Sequence, residues 1–236
     1  MNVQELGFQK TSLGDLTLRR RTEILLQDRE VFEVKLGDEY LMSSLFTESE
    51  QQLASLALAP LEGELDVVIG GLGLGYTAAE ALKNKKVKRL LVIELFQAVI
   101  DWHLEGLVPM SKVLTSDPRC ELRQGDFFEL VCKGFDSDRP GRKFDAVLLD
   151  IDHSPVHFLA PGSQAFYTIE GLAFVSDQLK PGGCFALWSN DPAAGDFTEH
   201  LRRVFGSASG HNVEFPNPYT GASSVNCVYT ATKLEK

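Results

Sequence analysis

The pattern of apolar and polar positions changes near residue 65 of this chain. Before it, stretches that alternate between apolar and polar residues, such as residues 31–36, are separated by turn residues such as Gly37 and Asp38. This pattern is typical of β-hairpins. After it, nearly continuous apolar runs alternate with stretches of helical length, as in parallel strands covered by helices on both faces. The sequence therefore predicts a small β-rich unit at residues 1–60 and an α/β domain at residues 61–236.

The α/β domain is predicted to hold a series of strands and helices and a closing hairpin. The strands are the apolar runs at residues 65–69, 90–94, 120–123, 144–149 and 184–188, and the helices cover residues 76–82, 97–105, 168–179 and 196–205. A hairpin formed by residues 213–215 and 225–230 is expected to follow. In the N-terminal unit, Thr47 and Glu50 have the spacing of a capping box, which predicts that a helix begins there.

The composition narrows the class of protein. The 236 residues are 44% hydrophobic and 24% charged, with a net charge of −10, which disfavours broad binding to nucleic acid. No apolar run is long enough to span a bilayer, and the first residues lack the pattern of a secretion signal. The four cysteines have no metal-binding spacing. We therefore expect a cytoplasmic protein with reduced thiols, no membrane segment and no nucleic-acid partner.

Arg19, Arg20 and Arg21 form the dense basic run of the chain. Positive charge discourages unwanted pairing at the edge of a sheet, so we interpret the run as a solvated edge strand. A site for an anionic ligand is the alternative.

Candidate ligand-binding residues lie where predicted strands end, because ligands of open α/β sheets bind beyond the carboxyl ends of the strands. The first strand runs into a glycine-rich loop with Gly70, Gly71, Gly73 and Gly75, and a helix follows. Glycine allows the backbone to approach a ligand closely, and the N–H groups at the start of the helix face the same place. Glu94 ends the next strand about 20 residues further on, where an acid can accept hydrogen bonds from both ribose hydroxyls.

Two further strand ends carry acids. Asp126 follows the third strand and can accept a hydrogen bond from an adenine amino group, with Phe127 beside the ring; a helix cap followed by a core phenylalanine is the alternative. Asp150 and Asp152 follow the fourth strand and can orient or deprotonate an acceptor. Histidines in the same loop are interpreted as surface residues, and no metal is expected.

The spacing of the glycines bears on the kind of cofactor. They are closer together than in the Gly-x-Gly-x-x-Gly loop of a dinucleotide site. The acids after the third and fourth strands also have no natural role at a nicotinamide cofactor. Both features favour a nucleoside cofactor without a diphosphate, which means S-adenosylmethionine or a derivative of it.

Together these motifs resemble the spermidine-synthase-like branch of the S-adenosylmethionine-dependent transferases. The resemblance covers the glycine loop at residues 68–75, the acids Glu94, Asp126 and Asp150, and the approach to the fifth strand at residues 179–183. It implies a Rossmann-like S-adenosylmethionine methyltransferase fold, with a seven-stranded mixed sheet and a small N-terminal β-rich unit. It also implies that Asp150 is catalytic and contacts the cofactor, and that the protein is a homodimer.

Departures from the family pattern bear on the reaction. In aminopropyltransferases of the family, the glycine loop carries an aspartate that holds the amine of the decarboxylated cofactor, and Leu74 occupies the place where we align it. Leu74 would not repel a carboxylate, so we expect intact S-adenosylmethionine and methyl transfer to a small amine or hydroxyl acceptor. Aminopropyl transfer from decarboxylated S-adenosylmethionine is the alternative, and a non-catalytic cofactor-binding module is a third.

The acceptor side departs from the family as well. Asp150 matches the catalytic aspartate, but Asp152 is spaced differently from the aspartate that grips the amine acceptor. We assign Asp152 to the cationic part of the acceptor. Ser49, Glu50 and Gln51 stand where the family has aromatic and histidine contacts, so the small-molecule acceptor stays unnamed.

Overall fold

The computed structural model describes residues 3–158 and 161–234. The N-terminal part is a four-stranded antiparallel sheet in which strands adjacent in sequence are adjacent in space. The predicted turn at Gly37 and Asp38 joins its last two strands. The strands are β1 (Val3–Thr11), β2 (Gly14–Glu23), β3 (Arg29–Leu36) and β4 (Glu39–Ser43), with a 3₁₀ turn at Ile24–Leu26 between β2 and β3.

The arginine run does not mark an edge strand, and that interpretation is wrong. The run lies on β2, which pairs with β1 on one side and with β3 on the other. An inner strand tolerates the charges because each is paired. Arg19 and Arg21 both donate to Glu33 of β3, whereas Arg20 points to the opposite face and donates to Gln4 of β1.

The rest of the chain builds a seven-stranded mixed sheet, so the predicted fold is confirmed. Its strand order is β10-β11-β9-β8-β5-β6-β7. The strands from β5 to β9 pair in parallel, and the closing hairpin of β10 and β11 runs antiparallel beside β9. The bounds are β5 (Leu65–Gly70), β6 (Val87–Glu94), β7 (Cys120–Gln124), β8 (Phe144–Leu149), β9 (Leu179–Ser189), β10 (Gly206–Asn217) and β11 (Ala222–Lys233).

Helices cover both faces of this sheet. The alternation along β5 divides the core, since Val67 and Ile69 pack on one face and Val68 on the other. Leu16 and Leu18 of the N-terminal sheet belong to the same apolar cluster as Val67, so the two sheets share a continuous core. The helices are α1 (Glu48–Leu58), α2 (Tyr76–Lys83), α3 (Gln97–Leu104), α4 (Ser111–Thr115), α5 (Phe127–Lys133), α6 (Ile169–Gln178) and α7 (Gly195–Phe205), with a 3₁₀ segment at Pro161–Tyr167.

Helix α1 connects the two sheets and packs against the second one. The side chain of Ser55 on α1 donates a hydrogen bond to Glu80 on α2, and Ser49 at its start accepts one from Trp188 at the end of β9. The division of the chain between residues 60 and 61 stays a prediction. Within the described part of the chain, no helix is long and apolar enough to cross a membrane.

Candidate active site

A cavity of about 700 Å³ lies beyond the carboxyl ends of the parallel strands, between the two sheets. The glycine loop, the loops after β6, β7 and β8, the N-terminal sheet and the closing hairpin all contribute to its wall. The predicted site residues that line it are Gly71, Gly73, Gly75, Glu94, Asp126, Phe127, Asp150 and Asp152. Gly70 lies behind the wall, where a side chain would overlap the ring of Phe127.

Two glycines of the loop are explained by close contacts with neighbouring segments. Gly71 has a φ of +93°, and a Cβ there would overlap the carbonyl oxygen of Asp150. Gly73 has a φ of +51°, and a Cβ there would overlap the sulfur of Met42 from the N-terminal sheet. A side chain at either position would therefore meet both backbone strain and a steric clash.

Two buried side chains hold the glycine loop in place. Glu94 accepts hydrogen bonds from the backbone N–H of Leu72 (3.0 Å) and of Phe96 (2.9 Å). His103 lies outside the cavity wall on α3, and its Nε2 is 2.8 Å from the carbonyl oxygen of Gly73. Because a carbonyl oxygen can only accept, Nε2 carries the proton and donates it. Burial raises the pKa of Glu94, against the opposing effect of its backbone hydrogen bonds.

The imidazole of His103 is held neutral. It is 1% exposed, and its Nδ1 has no hydrogen-bond partner among the described residues. Burial lowers its pKa, and the Gly73 carbonyl opposes that shift only in part. Sequence analysis missed this residue, because a histidine inside an amphipathic stretch carries no signal that it supports a neighbouring loop.

Asp126 and Phe127 have the structural roles that the sequence left open as an alternative, a helix cap and a core phenylalanine. Asp126 caps α5, since its Oδ1 accepts from the N–H groups of Phe128 (2.8 Å) and Glu129 (3.3 Å). Phe127 is 2% exposed and packs in an aromatic cluster with Phe135. Both residues still line the cavity, so binding of an adenine ring stays a prediction for them.

The acceptor side of the cavity holds a pair of carboxyl groups that the sequence did not bring together. Asp150 directly follows β8 and accepts a hydrogen bond from the hydroxyl of Thr77 (2.6 Å). Glu50, on the first turn of α1, lines the same cavity. Burial raises the pKa of both carboxyl groups, and the charge of Asp150 raises that of Glu50 further.

Glu50 does not close the predicted capping box. The backbone N–H of Thr47 donates instead to Glu48 (3.0 Å), and the side chain of Thr47 makes no cap bond to the helix. The carboxyl group of Glu50 lies 3.1 Å from the hydroxyl of Ser49. The capping prediction is therefore wrong, because the neighbouring acid takes the role and leaves Glu50 to the cavity.

Asp152 is buried beside the pair and is held by a phenol. The hydroxyl of Tyr167 donates to Asp152 Oδ2 at 2.7 Å, and Asp152 is 3% exposed. Burial, and then the charge of Asp152, raises the pKa of Tyr167 well above its usual value. Tyr167 therefore stays protonated and keeps the carboxylate in place.

The far wall of the cavity is built from the N-terminal sheet and the closing hairpin. Arg21 donates to Glu33 (2.8 Å) and to the hydroxyl of Tyr219 (2.8 Å). Tyr219 donates in turn to Glu23 (2.6 Å). Hydrogen bonds from Tyr219 and Arg21 lower the pKa of Glu23. This cluster joins segments that are almost 200 residues apart in sequence, and sequence analysis did not anticipate it.

Comparison with known proteins matches this chain to one family and its members. The family model described as "Spermine/spermidine synthase domain" matches residues 49–202. The chain is 28% identical to polyamine aminopropyltransferase 2 of Pseudomonas aeruginosa over 159 residues, which are 64% of this chain and 43% of that protein. It is 33% identical to the polyamine aminopropyltransferase of Pyrobaculum islandicum over 132 residues, 55% of this chain and 44% of that one. The matched part is thus less than half of the length of these relatives.

Solved structures agree on the fold. A spermidine synthase in complex with the transition-state analogue AdoDATO superposes with a TM-score of 0.75 at 20% identity, covering 98% of this chain and 74% of that one. The spermidine synthase of Thermotoga maritima superposes with a TM-score of 0.73 at 18% identity, covering 98% and 72%.

The sheet order and the glycine loop define a Rossmann-like α/β protein with an additional N-terminal antiparallel sheet. Within that class, the chain belongs to the spermine/spermidine synthase family, whose model matches most of its length.

The expectation of methyl transfer is wrong. The matched family and the named relatives are aminopropyltransferases, and these findings favour the alternative that the sequence left open. Leu74 is 3% exposed, packs in the apolar core and also lines the cavity, so the lack of charge at this one position does not decide between the two donors. The acidic side chains of the acceptor side are those of Glu50, Asp150 and Asp152.

Proposed function

We propose that this chain transfers an aminopropyl group from decarboxylated S-adenosylmethionine to a small amine. The observation that carries the proposal is one cavity that is lined both by the glycine loop and by three carboxyl groups, those of Glu50, Asp150 and Asp152. The names of the relatives support the same reaction.

The residues on the loop side suit an adenosyl group. Glu94 and Asp126 stand at the ends of neighbouring strands, and carboxylates accept hydrogen bonds from ribose hydroxyls and from an adenine amino group. A Cβ would clash with the Asp150 carbonyl at Gly71 and with Met42 of the N-terminal sheet at Gly73, so the loop backbone lies close to both neighbours. We assign the nucleoside to Gly71, Gly73, Gly75, Glu94, Asp126 and Phe127, with Gly70 supporting the turn.

The carboxyl side suits a cationic amine and disfavours an intact donor. Three carboxyl groups in one cavity attract an ammonium group and repel the carboxylate of S-adenosylmethionine. The decarboxylated donor lacks that carboxylate. We therefore assign the decarboxylated form, in place of the intact cofactor that Leu74 suggested.

The reaction needs an aligned amine and one base. The donor supplies a methylene carbon next to a positively charged sulfur; the amine nitrogen bonds to that carbon, and the sulfur keeps the electron pair of the broken carbon–sulfur bond. Asp150 orients the amine and accepts the proton that the nitrogen loses, while Asp152 holds a cationic part of the acceptor. Alignment of the two reactants supplies most of the acceleration in such a displacement.

The test compares two donors with one acceptor. The protein is incubated with 1,4-diaminobutane and either decarboxylated or intact S-adenosylmethionine, and methylthioadenosine and any methylated product are measured. We expect methylthioadenosine and an aminopropylated diamine with the decarboxylated donor only. A methylated diamine from the intact donor, or no product from either, contradicts the proposal.

We also infer a cytosolic homodimer. The edge strand β1 exposes apolar side chains, with Phe8 50% and Val3 49% exposed, and a second copy would cover them. All four cysteines are free thiols, which suits a reducing compartment. Light scattering at micromolar concentration tests the dimer, and a monomer there contradicts it.

A further inference from the structure

We propose that Glu50 and Asp150 act as one proton-sharing pair, which holds a proton in the ligand-free cavity and exchanges it for the ammonium group of the amine. The proposal rests on the proposed function for the class of ligand. It goes beyond that function because it gives Glu50 a binding role and predicts a measurable release of protons.

The first support is the position of the two groups. Both line the same cavity, and Thr77 links their segments: its hydroxyl donates to Asp150 Oδ2 (2.6 Å) and lies 3.3 Å from the backbone carbonyl of Glu50. The Thr77 bond stabilises a negative charge on Asp150. Glu50 receives no such bond from Thr77, so Asp150 is the member of the pair that ionises first.

The second support is the hydrogen-bond network around Ser49. The hydroxyl of Ser49 accepts from Trp188 Nε1 (2.9 Å) and lies 3.1 Å from both Asn226 Oδ1 and Glu50 Oε2. Asn226 directs its Nδ2 to Asn190, so its Oδ1 is the atom that faces Ser49. One hydroxyl proton cannot serve both Asn226 Oδ1 and an ionised Glu50. If Glu50 is protonated and donates to Ser49, every polar atom in this network is satisfied.

The third support is the lack of a spare cation. Among the described residues that line the cavity, Arg21 and His153 are the basic ones. Arg21 is paired with Glu33 and Glu23, and His153 lies 3.9 Å from Glu39. Two carboxyl groups that line one partly buried cavity and interact electrostatically therefore need a proton or a cation from solution.

Every other acid on the cavity wall already has a partner. Glu94 binds backbone N–H groups, Asp126 caps α5, Asp152 binds Tyr167, and Glu33 binds two arginines. The titratable groups that face Glu50 are Asp150 from β8, Glu48 on its own helix and Tyr76 from α2, with the Arg21–Glu33 pair, Asp152 and His153 across the cavity. None of these supplies an unpaired positive charge.

The exchange balances in charge. In the ligand-free cavity the pair carries one proton and one negative charge. When an ammonium group enters, its N–H groups donate to both carboxylates, and the shared proton leaves to solvent. Since the exchange needs N–H donors, the site suits primary or secondary ammonium groups over quaternary ones.

Calorimetry tests the exchange without any donor or turnover. The heat of binding of 1,4-diaminobutane is measured at pH 7 in buffers of different ionisation enthalpy, which gives the number of protons released. We expect a release approaching one proton for the unaltered protein and almost none for Glu50→Gln. The control is Glu105→Gln, an exposed acid just after α3 that does not line the cavity, which should release as many protons as the unaltered protein.

A pH series adds a second readout. Glu50→Gln should weaken diamine binding at least tenfold at pH 8.5, where the unaltered pair is ionised, and much less at pH 6. Glu50→Asp should keep part of the proton release, and thermal unfolding shows that each variant is folded. An unchanged release in Glu50→Gln overturns the proposal, because the proton then comes from the amine or another group. That result leaves the aminopropyl transfer assay untouched, whereas a failed transfer assay leaves this binding test readable.

Discussion

The two walls of the cavity are built by different means. On the loop side, consecutive strand ends of one sheet bring the glycine loop, Glu94 and Asp126 together, and backbone groups hold the acids. On the acceptor side, side chains from distant segments meet: Glu50 from α1, Trp188 from β9 and Tyr219 from the closing hairpin. The loop side follows from the order of the strands, and the acceptor side depends on packing between the two sheets.

The walls also differ in how their charges are satisfied. The acids of the loop side are occupied by N–H groups of the protein itself. On the acceptor side, Glu50 and Asp150 line the cavity and interact electrostatically, and neither forms an ion pair with a basic side chain in the described part of the chain. We therefore expect that a nucleoside binds to acids already held in place by backbone N–H groups. An amine is expected to bind to carboxyl groups whose protonation changes on binding.

The prediction with the largest expected effect distinguishes a role of Asp150 in the reaction from a role in nucleoside binding. Asp150→Asn keeps an oxygen that can accept from Thr77 but removes the base, so the rate of methylthioadenosine formation should fall by about 10²–10⁴-fold. The affinity for methylthioadenosine should stay within about threefold of its original value. Asp191→Asn, at the rim of the same face, is the control. If nucleoside affinity falls as much as the rate, Asp150 supports the fold of the site and is not the base.

The second prediction tests the close contact between Gly71 and the backbone carbonyl of Asp150. Gly71→Ala adds a methyl group where the Asp150 carbonyl lies, at a φ of +93°. We expect a loss of about 3 kcal/mol in the free energy of unfolding, measured with urea. Gly63→Ala is the control, because its φ is +78° but a side chain there meets open space; it should lose only about 1 kcal/mol. Equal losses in both variants would mean that strain alone, without contact, explains the glycine.

The sequence predicted the loop side well because the signals there are local. The apolar runs predict the parallel strands, and the carboxyl ends of parallel strands meet at one edge, so Glu94, Asp126 and Asp150 had to share a cavity. Their roles in binding stay predictions. The structural roles of Asp126 and Phe127 were foreseen as an alternative.

The acceptor side could not be predicted because its signals are not local. Glu50 lies in a sequence that fits a capping box, and only the bond from Thr47 to Glu48 shows that Glu50 turns to the cavity. Leu74 suggested a change in donor, but it is a buried leucine that packs in the core while it lines the cavity, and a single uncharged position does not set the donor. Contacts such as that between Arg21 and Tyr219 arise only when both ends of the chain have folded.

A third prediction concerns the loop side alone. Glu94→Ala removes a carboxylate that holds the N–H groups of Leu72 and Phe96 and that we assign to the ribose. Methylthioadenosine should bind about 1–3 kcal/mol more weakly by calorimetry. Glu105→Ala, exposed at the end of α3, is the matched control. An unchanged affinity would remove Glu94 from the nucleoside site.

A fourth prediction uses the neutral state of His103. His103→Phe removes the hydrogen bond to Gly73 and should cost about 1 kcal/mol of stability at pH 7.5. Because burial lowers the pKa of His103 in the folded state, the unfolded chain binds its proton first as the pH falls below about 6.5. The original protein therefore loses stability on acidification through this residue, and the variant does not.

Denaturant unfolding at pH 7.5 and pH 5.5 checks the direction of this change in stability. The stability difference between the original protein and His103→Phe should shrink at pH 5.5. All other titrating groups are shared by the two proteins, so the change isolates His103. A difference that grows on acidification would show that His103 is protonated in the folded state.

The prediction with the smallest expected effect tests whether the amine side and the nucleoside side of the cavity bind their ligands independently. Tyr219→Phe keeps the ring near Phe46 (6.4 Å between centroids) but removes the hydroxyl that joins Glu23 and Arg21. We expect a loss of about 0.5–1 kcal/mol in unfolding free energy and a modest rise in KM for the amine, with methylthioadenosine affinity unchanged. Thr220→Ala, whose hydroxyl bonds within its own turn, should change neither. Because Tyr219 reaches only the far wall, an equal loss of nucleoside and amine affinity would show that the closing hairpin shapes the whole cavity and that the two walls act as one.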